Sequence, residues 1–148
     1  NAPFYTMEDG SVMTVFRYKE QHQSYPGRVH GGMITAMLDE MGLRSLWAKE
    51  LSEETFGVTI SLDTKYRKPV PYETELIGRG VVVKNTSHFI ITDSYIMDKD
   101  GEILANGRIK YIKMDTQKIQ EGVEVHEEMP YLVEDGRTEI EGPFFDNL

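Results

Sequence analysis

The sequence predicts an α+β domain in which an antiparallel sheet wraps around one long central helix. Three observations carry this prediction: one helical stretch at 33–50, four strand-like segments after it, and turn signals between the last three of those segments. A sheet with one apolar face needs a covering layer, and the stretch at 33–50 is the one substantial helix in the pattern. One helix packed on one antiparallel sheet is therefore the simplest architecture.

The helix is predicted over residues 33–50 from the spacing of its apolar side chains. These recur at intervals of three and four residues, which is the period of a helix face: Met33, Ile34, Met37, Leu38, Met41, Leu46 and Trp47. The apolar stripe is broad, so we expect the helix to be buried on most sides.

Strands are predicted on both sides of the helix. Residues 12–18 alternate and are rich in β-branched and aromatic side chains, which is typical of a strand. After the helix, alternating segments span 56–68, 74–84, 87–98 and 103–114. Turn-forming residues at 85–86 and 98–101 separate the last three segments, which should form a meander. Residues 115–148 show no clear period, and we expect a short helix or an extended strap there.

Composition narrows the class of protein. The chain has 148 residues with 39% hydrophobic content, which suits one domain over 1–148 with its core at about 12–114. It has no cysteine, so disulfides, thiolate metal sites and a cysteine nucleophile are excluded. No apolar run approaches the roughly 18 residues of a spanning helix, and the first ten residues do not resemble a signal peptide. We therefore expect a cytoplasmic protein that does not bind membranes.

The net charge of −9 is concentrated near the C-terminus. Residues 115–148 hold ten acidic and two basic side chains, which leaves the rest of the chain nearly neutral. Nucleic acids are bound through basic surfaces, so we expect no nucleic-acid partner. A nearly neutral body can still carry a local basic patch for one phosphorylated ligand.

Two glycines stand at the start of the predicted helix. Gly31 and Gly32 leave the first backbone amides unobstructed, and these amides carry the positive end of the helix dipole. Such a terminus can stabilise the oxyanion that forms during acyl transfer. The alternatives are a plain turn for the glycines and a structural hydrogen-bonding role for the adjacent His30.

Two adjacent acidic residues on the helix have different neighbours. Asp39 and Glu40 project about 100° apart. Arg44 follows Glu40 by four residues and should form an ion pair with it. The same-face neighbours of Asp39 carry no charge: Thr35, Ala36, Gly42, Leu43 and Leu46. A carboxylate in such surroundings is costly unless it has a use, so we assign the chemistry to Asp39. The alternative is an ordinary half-exposed helix residue.

The stretch GRVHGGMITAMLDEMG at 27–42 resembles the signature of the PaaI-like branch of the hotdog-fold thioesterases. In that family a His-Gly-Gly at the helix start is followed by an acidic residue nine positions after the His, which is the spacing of His30 and Asp39. The stretch SLDTKYRKPVPYETEL at 61–76 is similar to the family's second strand, which ends in an aromatic residue, a basic residue and a Pro. The resemblance spans roughly residues 12–114.

The resemblance implies a hotdog fold and hydrolysis of an acyl-CoA to a free acid and coenzyme A. The Gly31 amide would donate to the thioester oxygen, with Gly32 beside it and His30 before it. Asp39 would activate a water or attack the carbonyl directly. Family members generally pair into dimers with sites at the interface, so we expect a homodimer or a dimer of dimers. No cofactor and no metal are expected.

One departure from the family pattern concerns the loop before the helix. Many relatives carry an Asn six residues before the His, where this chain has Ser24. Gln23 or His22 could take over its supporting role; otherwise the rate is lower or the natural substrate differs.

Coenzyme A carries phosphates, so basic side chains are expected near its binding site. Lys65, Arg67 and Lys68 lie together at the end of the second strand of the motif. Arg67 and Lys68 are favoured because Pro69 fixes the backbone directly after them.

Two other functions remain compatible with the sequence. A hotdog-fold hydratase or dehydratase also acts on acyl thioesters, although none of the four histidines stands in an evident motif of that class. A non-catalytic acyl-CoA-binding protein is the alternative from a different class. Against this alternative, a carboxylate without a charged partner on an apolar helix face has no evident structural role, whereas catalysis would explain it. The acyl group stays open among aromatic, medium-chain and branched types.

Overall fold

The structure, a computed structural model, describes residues 2–49 and 55–115. In these ranges one long helix, α1 (Gly31–Lys49), packs on a six-stranded antiparallel sheet. The strands are β1 (Phe4–Thr6), β2 (Val12–Phe16), β3 (Thr55–Tyr66), β4 (Leu76–Asn85), β5 (Phe89–Met97) and β6 (Ile103–Asp115). Their order across the sheet is β1-β2-β4-β5-β6-β3. The predicted arrangement of one helix on one antiparallel sheet is confirmed.

Strands β4, β5 and β6 form the predicted meander. The turn between β5 and β6 is closed by the Asp98 carboxylate, which accepts hydrogen bonds from the amides of Asp100 and Glu102 at 2.9 Å each. Gly101 supplies the positive φ of 84° that this turn requires. The signal at 98–101 therefore marks a real turn, and the connection between β4 and β5 lies at 86–88, directly after Asn85.

Several element boundaries differ from the prediction. The three-residue strand β1 was not predicted, because so short a segment carries too little alternation to be recognised. Helix α1 begins at Gly31 instead of residue 33, because a cap from His30 brings both glycines into the first turn. The predicted segment at 115–148 lies outside the described residues, apart from the last residue of β6.

The core lies between α1 and the inner face of the sheet. The buried helix side chains form one stripe, Ile34, Leu38, Met41, Ser45 and Leu46. Met33 is 38% exposed and Ala36 is also exposed. Exposure along α1 is confined to its start, at Gly32, Met33 and Ala36, and the other side chains described at 31–48 are buried or half-buried.

Gly80 on β4 allows the helix to approach the sheet closely. A Cβ there would lie 2.8 Å from the carbonyl carbon of Met41 and closer still to its oxygen, and this backbone cannot move aside. Gly80→Ala should therefore lower the free energy of unfolding by about 1–3 kcal/mol in a denaturant titration.

Gly107→Ala is the matched control for this prediction. Its Cβ would make an ordinary contact, 3.4 Å from Leu38 Cδ1. Equal stabilities of the two variants would contradict the close helix-sheet contact at Gly80.

Candidate active site

His30 caps the first turn of α1. Its Nδ1 accepts a hydrogen bond from the Gly32 amide at 2.9 Å, and its carbonyl oxygen accepts from Met33 and Ile34 at 3.0 and 3.2 Å. A ring nitrogen that accepts an amide proton is the unprotonated one, so the ring proton lies on Nε2. This geometry matches the structural role considered for His30, and Nδ1 is not free to act as a base.

The two glycines of the motif differ in what their amides do. The Gly32 amide donates to His30, whereas none of the hydrogen bonds found within 2–49 and 55–115 uses the Gly31 amide. The Tyr66 hydroxyl donates to the Gly31 carbonyl oxygen at 3.1 Å and lies 2.7 Å from Thr35 Oγ1. Gly31 therefore offers an unoccupied donor at the positive end of α1, beside an aromatic ring from the end of β3.

Asp39 lies half-buried on α1, and its carboxylate is held by hydroxyl groups. Thr59 Oγ1 donates to Oδ1 at 2.9 Å and to Oδ2 at 3.2 Å. The Tyr111 hydroxyl lies 3.1 Å from Oδ1 and 2.9 Å from the Asp39 carbonyl oxygen. No cation in the described part of the chain pairs with Asp39, since Arg44 binds Glu40 at 2.7 Å, as predicted.

Sequence reasoning missed Thr59 and Tyr111. A β-bulge between Thr59 and Ser61 shifts the β3 register, so side chains on opposite sides of the bulge follow different alternations. Thr59 pairs with Tyr111 across β3 and β6, which puts both on the inner face. Alternation along β6 could have placed Tyr111 on the face of the buried Ile109, but not beside Asp39.

Hydrogen bonds hold the loop before α1 against neighbouring segments. Gln23 Oε1 accepts a hydrogen bond from the Tyr72 hydroxyl at 3.0 Å, and the backbone of Gln23 forms an isolated antiparallel β-bridge with Val29. His22 Nδ1 accepts from the Lys19 amide at 3.0 Å. The Ser24 side chain is exposed, and its amide donates to a backbone carbonyl within the same loop. Gln23 and His22 therefore already have structural partners.

The basic pair Arg67 and Lys68 directly follows Tyr66, whose hydroxyl donates to the Gly31 carbonyl oxygen. The Arg67 guanidinium donates to the Asn106 side chain at 2.6 Å, and Lys68 forms an ion pair with Glu102. Both side chains are exposed. Each has a local partner that a phosphate could replace.

No metal site is present among the described residues: no three His, Asp or Glu side chains there are grouped to hold an ion. In the same ranges, no helix is long and apolar enough to cross a membrane.

Comparison with known proteins gives the family. A model of the thioesterase superfamily matches residues 26–105. Acyl-coenzyme A thioesterase 13 of Homo sapiens is 23% identical over 100 residues, which are 67% of this chain and 70% of that protein.

Solved structures of thioesterases share the architecture. One thioesterase superfamily protein is 25% identical with a TM-score of 0.67, over 74% of this chain and 55% of that chain. A hypothetical thioesterase from Streptococcus pneumoniae TIGR4, solved with coenzyme A, is 20% identical with a TM-score of 0.68, over 78% and 90% of the two chains. The chain thus has the hotdog fold and belongs to the thioesterase superfamily.

Proposed function

We propose that the protein hydrolyses acyl-CoA thioesters to a free acid and coenzyme A. The observation that carries this proposal is the Asp39 carboxylate, which two hydroxyl groups orient while no described cation pairs with it. A carboxylate oriented in this way is suited to activate a water or to attack a carbonyl carbon. Membership of the thioesterase superfamily and the name of the human relative support the same reaction.

The reaction also needs a group that stabilises negative charge on the thioester oxygen. The Gly31 amide at the positive end of α1 is suited to this task. Asp39 takes a proton from a water that attacks the carbonyl carbon, or it attacks that carbon itself and water cleaves the resulting anhydride. In both routes the C–S bond breaks and coenzyme A leaves as the thiol.

One chain cannot bring both groups to the same thioester. Gly31 and Asp39 belong to one helix, and their separation in sequence corresponds to about 12 Å along its axis. A carboxylate and an oxyanion donor that act on one carbonyl must both lie about 3 Å from the reacting atoms. We therefore propose that Gly31 of one chain acts with Asp39 of a second copy in a homodimer. The assembly is either this dimer or a dimer of such dimers.

Strand β3 offers the surface for this pairing. It is 12 residues long and lies at the edge of the sheet, where one of its sides pairs with β6 and the other side pairs with no strand among the described residues. Val58 and Ile60 on it are 41% and 52% exposed. A long apolar edge strand is ready to pair with another chain. Because Thr59 binds Asp39 from this strand, pairing there would put the carboxylate at the interface.

Coenzyme A would bind beside the helix start. The Streptococcus pneumoniae neighbour was solved with coenzyme A, which supports such a ligand here. Arg67 and Lys68 are the basic side chains that we propose for its phosphates, with Lys68 exchanging Glu102 for a phosphate oxygen. The His-Gly-Gly motif and its spacing to Asp39 favour the PaaI-like branch.

Thiol release from a panel of short, medium, long and aromatic acyl-CoAs tests the proposed reaction. We expect turnover of at least one of these substrates, and the panel then identifies the acyl class. Calorimetric binding of the same acyl-CoAs without thiol release would refute hydrolysis and favour the binding role.

A further inference from the structure

Tyr111 reaches Asp39 from inside the protein. It stands on β6 with 0% exposure, and its hydroxyl lies 2.9 Å from the Asp39 carbonyl oxygen and 3.1 Å from Oδ1. A phenylalanine would fill almost the same volume of the core. The hydroxyl of this fully buried tyrosine therefore has a role beyond packing, since it contacts a half-buried carboxylate.

The Tyr111 hydroxyl keeps its proton in this position. Burial raises the pKa of Tyr111 well above its ordinary value, and the negative charge of Asp39 raises it further. The hydroxyl is therefore protonated at neutral pH and can donate a hydrogen bond.

Gly42 provides the space that the Tyr111 hydroxyl needs. It lies three residues after Asp39 on α1, and a Cβ there would be 2.5 Å from Thr92 Oγ1 and closer still to the Tyr111 hydroxyl oxygen. Any side chain at this position would push the hydroxyl away from the helix. The contact between Tyr111 and Asp39 thus depends on a glycine.

The two carboxylate oxygens of Asp39 are not equivalent. Oδ1 receives the shorter bond from Thr59 and also faces Tyr111, whereas Oδ2 receives only the longer Thr59 bond of 3.2 Å. Oδ2 is consequently the oxygen with more capacity to accept a proton or to attack.

We propose that Tyr111 is a positioning residue that fixes Asp39 through Oδ1 and leaves Oδ2 as the reactive oxygen. This inference deepens the proposed function and depends on it. The groups that the structure places against the Asp39 carboxylate are the Tyr111 hydroxyl from β6 and the Thr59 hydroxyl from β3. The single hydroxyl proton of Tyr111 is shared between the Asp39 carbonyl oxygen at 2.9 Å and Oδ1 at 3.1 Å, so the hydroxyl orients both the backbone and the carboxylate of Asp39.

The test compares Tyr111→Phe with Tyr18→Phe. Tyr18 is also a buried tyrosine whose hydroxyl donates to α1, at the Met33 carbonyl oxygen over 3.2 Å, and no hydrogen bond found within 2–49 and 55–115 joins it to a carboxylate. Loss of a donor to a charged group should lower kcat about tenfold in Tyr111→Phe with KM unchanged. The loss should fall on kcat and not on KM, because the hydrogen bond orients the reacting carboxylate and does not bind the substrate.

Tyr18→Phe should lower the melting temperature without changing kcat. Gly42→Ala should reproduce the kinetic change with Tyr111 intact, which keeps the test valid if Tyr111→Phe folds poorly. Identical kinetics in Tyr111→Phe and Tyr18→Phe would overturn the positioning role.

Crystal structures of the two variants separate this inference from the proposed function, because they need no turnover. We expect the Asp39 carboxylate to leave its position beside Thr59 in Tyr111→Phe and to keep it in Tyr18→Phe. An unmoved carboxylate in Tyr111→Phe overturns the inference even if the wild type hydrolyses acyl-CoA. A wild type inactive on every thioester refutes the proposed function and, with it, the positioning role in hydrolysis.

Discussion

Asp39→Asn should lower kcat for acyl-CoA hydrolysis by roughly a thousandfold while the protein stays folded. The amide has nearly the same shape as the carboxylate, and its oxygen can still accept from Thr59 and Tyr111. It can neither take a proton from water nor attack a carbonyl. Steady-state thiol release and the melting temperature, measured on the same preparations, separate lost chemistry from lost folding.

Glu40→Gln is the control for this substitution. It removes the adjacent acid on α1 and breaks the ion pair with Arg44 at 2.7 Å, but leaves Asp39 in place. We expect nearly unchanged kcat and a small loss of stability, since a pair with this exposure contributes little. Comparable losses of activity in both variants would contradict the assignment of the chemistry to Asp39.

Gly31→Pro should lower kcat about a hundredfold or more by removing one backbone N–H. Gly31 is the first residue of α1, where proline is well tolerated because that amide has no partner within the helix. The substitution therefore deletes the proposed oxyanion donor and preserves the helix. Thiol release at saturating substrate measures the effect.

Gly31→Ala separates the lost donor from added bulk. A Cβ at Gly31 would lie 3.3 Å from ring atoms of Tyr66, a side chain that is 55% exposed and can shift. Alanine keeps the amide, so most activity should remain. If alanine and proline reduce kcat equally, contact with Tyr66 explains the loss and Gly31 is not the donor.

The helix and the meander were predictable because their signals are local. Apolar residues at intervals of three and four mark α1, and alternation with turn residues marks β4, β5 and β6. The different environments of Asp39 and Glu40 were also predictable, since the partner of Glu40 lies one turn away on the same helix.

The surroundings of Asp39 were not predictable, because they depend on contacts between distant segments. The bulge in β3 shifts the register near Thr59, and alternation read along the sequence does not reveal which residue is bulged. Tyr111 lies 72 residues from Asp39 in the chain. The exposure of Met33 was not predictable either, because apolar spacing does not show which apolar residues of a helix the sheet leaves uncovered.

The most direct test of a site shared between two chains is a mixture of two inactive proteins. Asp39→Asn and Gly31→Pro chains carrying different tags would be coexpressed, and the heterodimer purified through both tags. If each active site takes Gly31 from one chain and Asp39 from the other, the heterodimer has one site with both residues intact and one site with both replaced. We therefore predict about half of the wild-type activity. A heterodimer as inactive as its two parents, or failure of the chains to associate, would contradict the account.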